Sequence, residues 1–182
     1  MQNLYSVFIK KVLYCLFLFS YLIANAQKVK KENHIISGKV TAITDGDTFK
    51  LLTKDSILIK VRLANIDAPE RKQPFSKKAK QFVSQAIFRK HINIYVLKKD
   101  RYGRYIANVM YNDSLNLNFQ LVKNGLAWHY TKYSTNQKLQ DIENLAKKKK
   151  KGLWVNSKSI SPWQWRANKK EANRLKKLTK SK

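Results

Sequence analysis

Apolar residues come in short alternating runs through the first half of the chain and in helical spacing through much of the second. Residues 35–43 and 48–52 are rich in β-branched and apolar side chains, and Asp45-Gly46 between them is a tight-turn signal, so the pair predicts a hairpin. Residues 56–64 alternate, with Ile57, Ile59, Val61 and Leu63 on one face and Leu58, Lys60 and Arg62 on the other. Beyond Pro69 the period changes: Ala79, Phe82, Val83, Ala86 and Ile87 keep helical spacing behind Ser76, the expected N-cap. Strands are expected at 92–97 and 105–111, joined by Asp100-Arg101-Tyr102-Gly103-Arg104. Helices are expected at 117–124 and 136–151, stopped by Gly125 and Gly152. Five strands with one helix after the third and two after the fifth predict an α+β fold, a five-stranded Greek-key barrel of the OB type with three helices.

The first 26 residues read differently. Lys10 and Lys11 precede an apolar run over 12–24, and Ala24-Asn25-Ala26 supplies a small-x-small site. This is a signal-peptide pattern with cleavage expected after Ala26, and the run is short of the ~20 apolar residues that a membrane span needs. The expected organisation is a signal peptide at 1–26, a short basic linker at 27–33, one folded domain at 34–168 and a basic tail at 169–182. Export to the periplasm or the medium follows. Cleavage removes Cys15, the only cysteine, so the mature chain has no disulfide and no thiolate ligand. His34, His91 and His129 are scattered without metal-ligand spacing, which argues against zinc.

The chain carries 38 Lys and Arg against 11 Asp and Glu, a formal charge of +27, and loss of Lys10 and Lys11 lowers this by only two. A partner bearing many phosphates fits such a charge, although adhesion to an anionic envelope would use it too. Against that background the window 44–70 gathers Asp45, Asp47, Asp67 and Glu70 beside Arg62. A hard cation bound through carboxylate oxygens is the simplest physical reason for such a cluster. The spacing is not that of an EF-hand: counted from Asp45, the glycine position falls on Lys50 and the closing glutamate position on Ser56.

Taken in order, Asp45-Gly46-Asp47-Thr48, Arg62 with Asp67-Ala68-Pro69-Glu70, Asp100-Arg101-Tyr102-Gly103-Arg104, Gly125-Leu126-Ala127 and Gly152-Leu153-Trp154 resemble the thermonuclease family typified by staphylococcal nuclease. The resemblance spans about 34–154, and its specificity lies in the ordered set. It implies a secreted, Ca²⁺-dependent phosphodiesterase acting on DNA and RNA, with single strands preferred, 3′-phosphate products and a monomeric state. Asp47, Asp67 and the main-chain carbonyl of Ala68 would be the Ca²⁺ ligands, with Asp45 close by. Arg62 and Arg104 would grip the scissile phosphate, and Glu70 would orient or deprotonate the attacking water. Tyr102 and Tyr133 match positions set against the nucleotide, flanked by Arg101 and Lys132. Thr131 stands where a second family tyrosine is usual, with Tyr130 as its substitute. Family members commonly have Thr where this chain has Ala68, which keeps a main-chain ligand and loses a hydroxyl. Trp163-Gln164-Trp165-Arg166 resembles the segment that closes secreted members and is expected to pack on the domain.

Two other classes share parts of this pattern. An inactive OB-fold nucleic-acid binder would be expected to lack one of the acids or arginines just named, and all are present. A basic envelope protein would bind salt-sensitively without cutting.

Overall fold

The computed structural model describes residues 34–112 and 114–180, with Lys11 and Tyr14 in addition. The expected signal peptide and linker, 1–26 and 27–33, fall outside the described residues apart from those two positions. Among the described residues no helix is long and apolar enough to cross a membrane.

Strand β1 (His34–Ile43) is flanked on one side by β2 (Thr48–Thr53) and on the other by β5 (His91–Lys99), both antiparallel. Strand β3 (Leu58–Leu63) pairs with β2, and β6 (Tyr105–Tyr111) pairs with β5. A short parallel ladder between β3 and β6, with Val61 opposite Tyr105, closes the circuit into a five-stranded barrel of the OB type. Closure leaves no free edge among the five, which removes the hazard of an exposed strand. Two-residue strands complete the ladders: β4 (Ile66–Asp67) pairs with β8 (Trp128–His129), and β7 (Leu115–Asn116) extends β6.

The alternation expected for 56–64 holds over β3, where Ile59, Val61 and Leu63 are buried and Leu58 and Lys60 exposed, but Ile57, expected on the buried face, precedes the strand and is exposed. Ile59, Val61 and Leu63 join Val40, Phe49, Leu51, Ile94 and Val109 in the barrel core. The first helix, α1 (Ser76–Ile87), packs Ala79, Val83, Ala86 and Ile87 onto that core. Helix α2 (Leu117–Lys123) adds Leu117, Leu121 and Val122, and α3 (Gln137–Lys148) adds Leu139. The buried Asn118 side chain sits where the barrel closes. It donates to the carbonyls of Ala64 and Ala107 at 2.9 and 3.2 Å and accepts from the Val109 N–H at 3.2 Å. Burying an amide costs free energy unless it is bonded, and here it ties β3 to β6.

Three expectations change. Ser76 is the first residue of α1 and not its cap: Phe75 holds the cap position at φ 67° with no side-chain bond. Asn116 and Asn136 do cap α2 and α3, accepting from Phe119 N and Leu139 N. From His34 onward the described residues form four α-helices where three were expected, because residues 162–180 form α4 (Pro162–Lys180). The boundary expected between 168 and 169 falls inside this helix. Its few large apolar residues, Trp163, Trp165, Leu175 and Leu178, make too sparse a stripe to announce a helix on periodicity alone. A 3₁₀ turn (Gly152–Val155) precedes it, and the two helix-stopping glycines meet there. Gly125 has φ 63°, and a Cβ on it would fall 2.1 Å from the Lys151 carbonyl oxygen.

Candidate active site

The β1–β2 turn brings Asp45 and Asp47 to one end of the barrel. Thr44 and Asp45 both donate their N–H to the Thr48 carbonyl, and Leu63 N donates to the Asp47 carbonyl at 2.8 Å, which locks the turn onto β3. Gly46 is required by contact: a Cβ there would lie 2.8 Å from the Cβ atoms of Ala68 and Ala79. The turn therefore packs directly against α1 and the loop after β4. Asp47 is buried, with Oδ1 accepting from Thr48 Oγ1 at 2.9 Å and Oδ2 from the Ala68 N–H at 2.9 Å. Asp45 Oδ1 accepts from the Asp47 N–H at 3.0 Å.

Asp67, only 1% exposed, is carried on β4 opposite Trp128 of β8. Strand β8 is itself held by α3, because the buried Glu143 carboxylate accepts from His129 N at 3.0 Å and from Lys147 Nζ at 2.7 Å. The His129 ring, 3% exposed, is engaged by Gln140 Oε1 and Ser134 Oγ, each at 2.9 Å. Both ring nitrogens are thus engaged within the fold.

Arg62 gathers these acids. Its Nη2 donates to Asp67 Oδ1 at 2.8 Å and lies 3.3 Å from Asp47 Oδ2, while Nη1 donates to the Leu63 and Ile66 carbonyls at 3.1 and 3.0 Å. A guanidinium fixed by two carbonyls cannot swing away, so the two carboxylates converge on one side of a rigid cation. The site is nonetheless short of positive charge. Burial, with the Asp47 charge behind it, pushes Asp67 above the ordinary carboxylate range even though Arg166 and Arg62 oppose the shift. Burial and Asp47 likewise push Asp45 up to about 6.

Among the described residues no three Asp, Glu, His or Cys side chains form a metal cluster. What the site offers is two converging carboxylates, Asp47 and Asp67, with Asp45 bonded to the Asp47 N–H. All are hard oxygens, and the environment favours added positive charge. That set fits a hard divalent cation which takes its remaining ligands from water or substrate.

Glu70 lies three residues beyond Asp67, and its Oε1 accepts from Arg166 Nη1 at 2.6 Å. Arg166 Nη2 also donates to Asp67 Oδ2 at 2.7 Å, so one guanidinium bridges both acids. Hydrogen bonds to Asp67 and Glu70 raise the Arg166 pKa against the effect of burial. Arg104 stands at the start of β6, next to β3 in the barrel. Its Nε donates to Asp100 Oδ2 at 2.8 Å, and its guanidinium lies 5.6 Å from the centre of the Tyr102 ring. Asp100 Oδ1 also accepts the N–H groups of Tyr102 and Arg104, both at 2.9 Å, which fixes the turn.

The expected aromatic residues divide. Tyr102 and Tyr133 are well exposed, at 67% and 63%. Arg101 bonds the Tyr102 hydroxyl at 2.7 Å, and Lys132 lies 5.8 Å from the centre of the Tyr133 ring. Tyr130 has one face covered: Trp163 of α4 stacks on it at 5.2 Å with 5° between the planes, and Tyr133 meets it edge-on at 4.8 Å. Tyr133 is therefore the more open ring. Sequence reasoning assigned no site role to Arg166, Trp163 or Gln73, although Trp163-Gln164-Trp165-Arg166 was the signal that something from the C-terminus packs on the domain.

Buried paired aspartates, a fixed arginine and a nearby glutamate at one end of a closed OB barrel suit the handling of a phosphodiester, whose charge needs cations aimed at its oxygens. The sequence model of the family described as "Staphylococcal nuclease homologue" matches residues 60–156. An "Uncharacterized endonuclease" of Haemophilus influenzae is 42% identical over 72% of this chain and 74% of its own length. A protein of the same description from Escherichia coli O157:H7 is 33% identical over 85% of this chain and 95% of its own. The "Micrococcal nuclease" of Shigella flexneri is 35% identical over 74% of this chain and 83% of its own. The chain belongs to the staphylococcal nuclease family.

Proposed function

We propose that the protein is an exported, Ca²⁺-dependent nuclease that hydrolyses phosphodiester bonds of DNA and RNA and leaves 3′-phosphate ends. Family membership supports hydrolysis of nucleic acid. The observation that carries the finer reading is the convergence of the buried Asp47 and Asp67 carboxylates on Arg62 Nη2, with Glu70 three residues away. Asp47, Asp67 and the Ala68 carbonyl would hold Ca²⁺, which when bound draws the phosphate in and offsets its charge. The residues of the chain do the rest.

A phosphodiester repels an incoming oxygen nucleophile, so the site must take up charge on the non-bridging oxygens as it builds. Arg62 and Arg104 both supply permanent positive charge to those oxygens; Arg104, held by Asp100 through Nε, can donate with its Nη fork, whereas the Arg62 Nη groups are taken by Asp67, Asp47 and two carbonyls. Glu70 accepts a proton from the attacking water as its oxygen bonds to phosphorus. The bond from phosphorus to the 5′-oxygen breaks, and that oxygen takes a proton from solvent. A carboxylate general base contributes ~10²–10⁴-fold. Tyr102 and Tyr133 offer exposed rings for the bases, worth ~1–3 kcal/mol each where they stack. Bases are free to stack only when unpaired, which supports preference for single strands.

End-group analysis of the products tests the chemistry. Fragments of a labelled single strand should accept a new phosphate at the 5′ end without prior dephosphorylation, while their 3′ ends should resist extension until phosphatase is added. Products with 5′-phosphates and free 3′-hydroxyls would reject the proposed bond and the roles built on it.

A further inference from the structure

We propose that the C-terminal segment 160–166 completes the active centre, and that Arg166 is the positioning residue that holds Glu70 for reaction. The inference rests on the reading of Glu70 as general base.

Glu70 is fastened to this segment at both its side chain and its backbone. The carboxylate Oε1 accepts from Arg166 Nη1 at 2.6 Å. The Glu70 N–H donates to Gln73 Oε1 at 2.9 Å, and Gln73 Nε2 donates to the Ile160 carbonyl at 2.7 Å. Gln73 is 4% exposed, so its amide is a fixed bridge and not a passing surface contact. Pro162 is buried, and Trp163 lies flat on Tyr130. Trp163 and Arg166 are three residues apart in α4 and so share a side of the helix. The ring anchors the turn from which the guanidinium reaches the site. Ile160, Trp163 and Arg166 all lie beyond residue 156, where the match to the family's sequence model ends.

The chemical consequence follows from rotamers. Glu70 is half-exposed, and an untethered glutamate spreads over many rotamers, few of which aim an oxygen at a water beside the phosphate. Arg166 binds Oε1 and bonds Asp67 with its other nitrogen, so one rigid plane sets the base against the metal-ligand aspartate. Among the described residues no donor bonds the other Glu70 oxygen, Oε2, which is left to receive the proton. A contrary role is a plug: Arg166 could hold the cation's place and have to leave. The three separate anchors through Ile160, Trp163 and Arg166 suit a fixed element better than a departing one.

The test uses the full protein with Arg166→Ala, Arg166→Lys, Glu70→Gln and the double variant Glu70→Gln/Arg166→Ala, each checked for a cooperative melt. Arg166→Ala should lower kcat by ~10–100-fold and change KM by less than about threefold, as for a lost transition-state arrangement. In the Glu70→Gln background the same change should cost almost nothing more, because the two residues act as one unit. Arg166→Lys should recover only part of the rate, since one ammonium cannot serve both carboxylates. Calorimetry without substrate should show Ca²⁺ bound at least as tightly by Arg166→Ala, a cation beside Asp67 having been removed. An unchanged or raised kcat in Arg166→Ala would overturn the proposal in favour of the plug. A further loss in the Glu70→Gln background, or weakened Ca²⁺ binding with activity restored by excess Ca²⁺, would overturn it too. If Arg166→Ala does not fold, Arg166→Lys decides, and a wild-type rate there rejects the proposal. A wild-type rate in Glu70→Gln would instead reject the base assignment itself.

Discussion

Arg166 Nη1 stands 2.6 Å from Oε1 of Glu70, a residue 96 positions earlier in the chain, while Arg62 reaches the shared partner Asp67 from the barrel side at 2.8 Å. Two guanidiniums thus meet at one buried aspartate, one from five residues before it and the other from 99 residues after it. A site assembled in this way separates groups that bind charge from groups that react, and each can be tested alone.

Arg62→Ala, Arg104→Ala and Glu70→Gln should each lower kcat by at least ~10²-fold, because these groups act mainly in the transition state. Binding of single-stranded DNA should survive in all three. Arg62→Ala also strips Asp47 and Asp67 of a partner, so its melting temperature must be followed beside its rate. Near wild-type rates in the three variants, with the fold intact, would remove the assignment.

Asp100 holds Arg104 and has a depressed carboxyl pKa. Burial pushes its pKa up, but the hydrogen bonds from Arg104 and the Tyr102 N–H outweigh this and hold it below the usual 3.8. A depressed folded pKa means that the unfolded chain binds more protons, so the contribution is present above about 3.8 and is lost as pH falls through the lower folded value. Asp100→Asn should flatten the acid-side fall in stability seen by urea unfolding. It should also lower kcat by about tenfold as Arg104 loosens. An unchanged slope below pH 4 would refute the linkage.

Gly46→Ala tests the packing under the paired aspartates. The new methyl would meet Ala68 and Ala79 at 2.8 Å, and neither can yield without moving the β1–β2 turn or α1. Overpacking of this kind costs ~1–3 kcal/mol. The expected result is lower stability in urea and a larger loss of kcat than of folding. A fully active, fully stable Gly46→Ala protein would show that the turn is free to shift.

One exposed face of helix α4 presents Arg166, Lys169, Lys170, Asn173, Arg174 and Lys177, leading away from the site at Arg166. If a nucleic-acid strand follows it, replacing Lys169, Lys170, Arg174 and Lys177 by Gln should flatten the slope of log affinity against log salt by ~0.7 for each phosphate of a single strand that is no longer neutralised. Turnover at saturating substrate should hardly change, because such lysines and arginines bind ground and transition states alike. The readout is binding to the Glu70→Gln protein across a salt series. Coincident slopes would remove the helix from the binding surface.

The barrel could be read from the chain because Ile59, Val61 and Leu63 alternate against Lys60 and Arg62, and because Asp45-Gly46, Gly125 and Gly152 punctuate the elements. The acids and Arg62 were legible for a related reason: they lie between residues 45 and 70, in one turn, on β3 and β4 and in the loop that follows, where sequence distance tracks distance in space. Arg166 was not. Its partners are nearly a hundred residues away, and no local pattern states which surface a C-terminal helix will meet. Ser76 misled because a serine before a helical run carries the usual cap chemistry, whereas Phe75 took the left-handed cap position. The covered face of Tyr130 was hidden for the same reason as Arg166, since Trp163 reaches it only through the folded path of α4.

Metal dependence tests the central claim most directly. The protein is incubated with labelled single-stranded DNA in Ca²⁺, then with excess chelator, and then with Ca²⁺ or Mg²⁺ restored. A site of few, mixed oxygen ligands tolerates the irregular coordination of Ca²⁺ better than the strict octahedron of Mg²⁺. Cleavage should therefore stop in chelator, return with Ca²⁺ and return only weakly with Mg²⁺. Cleavage at the full rate in excess chelator would contradict the account.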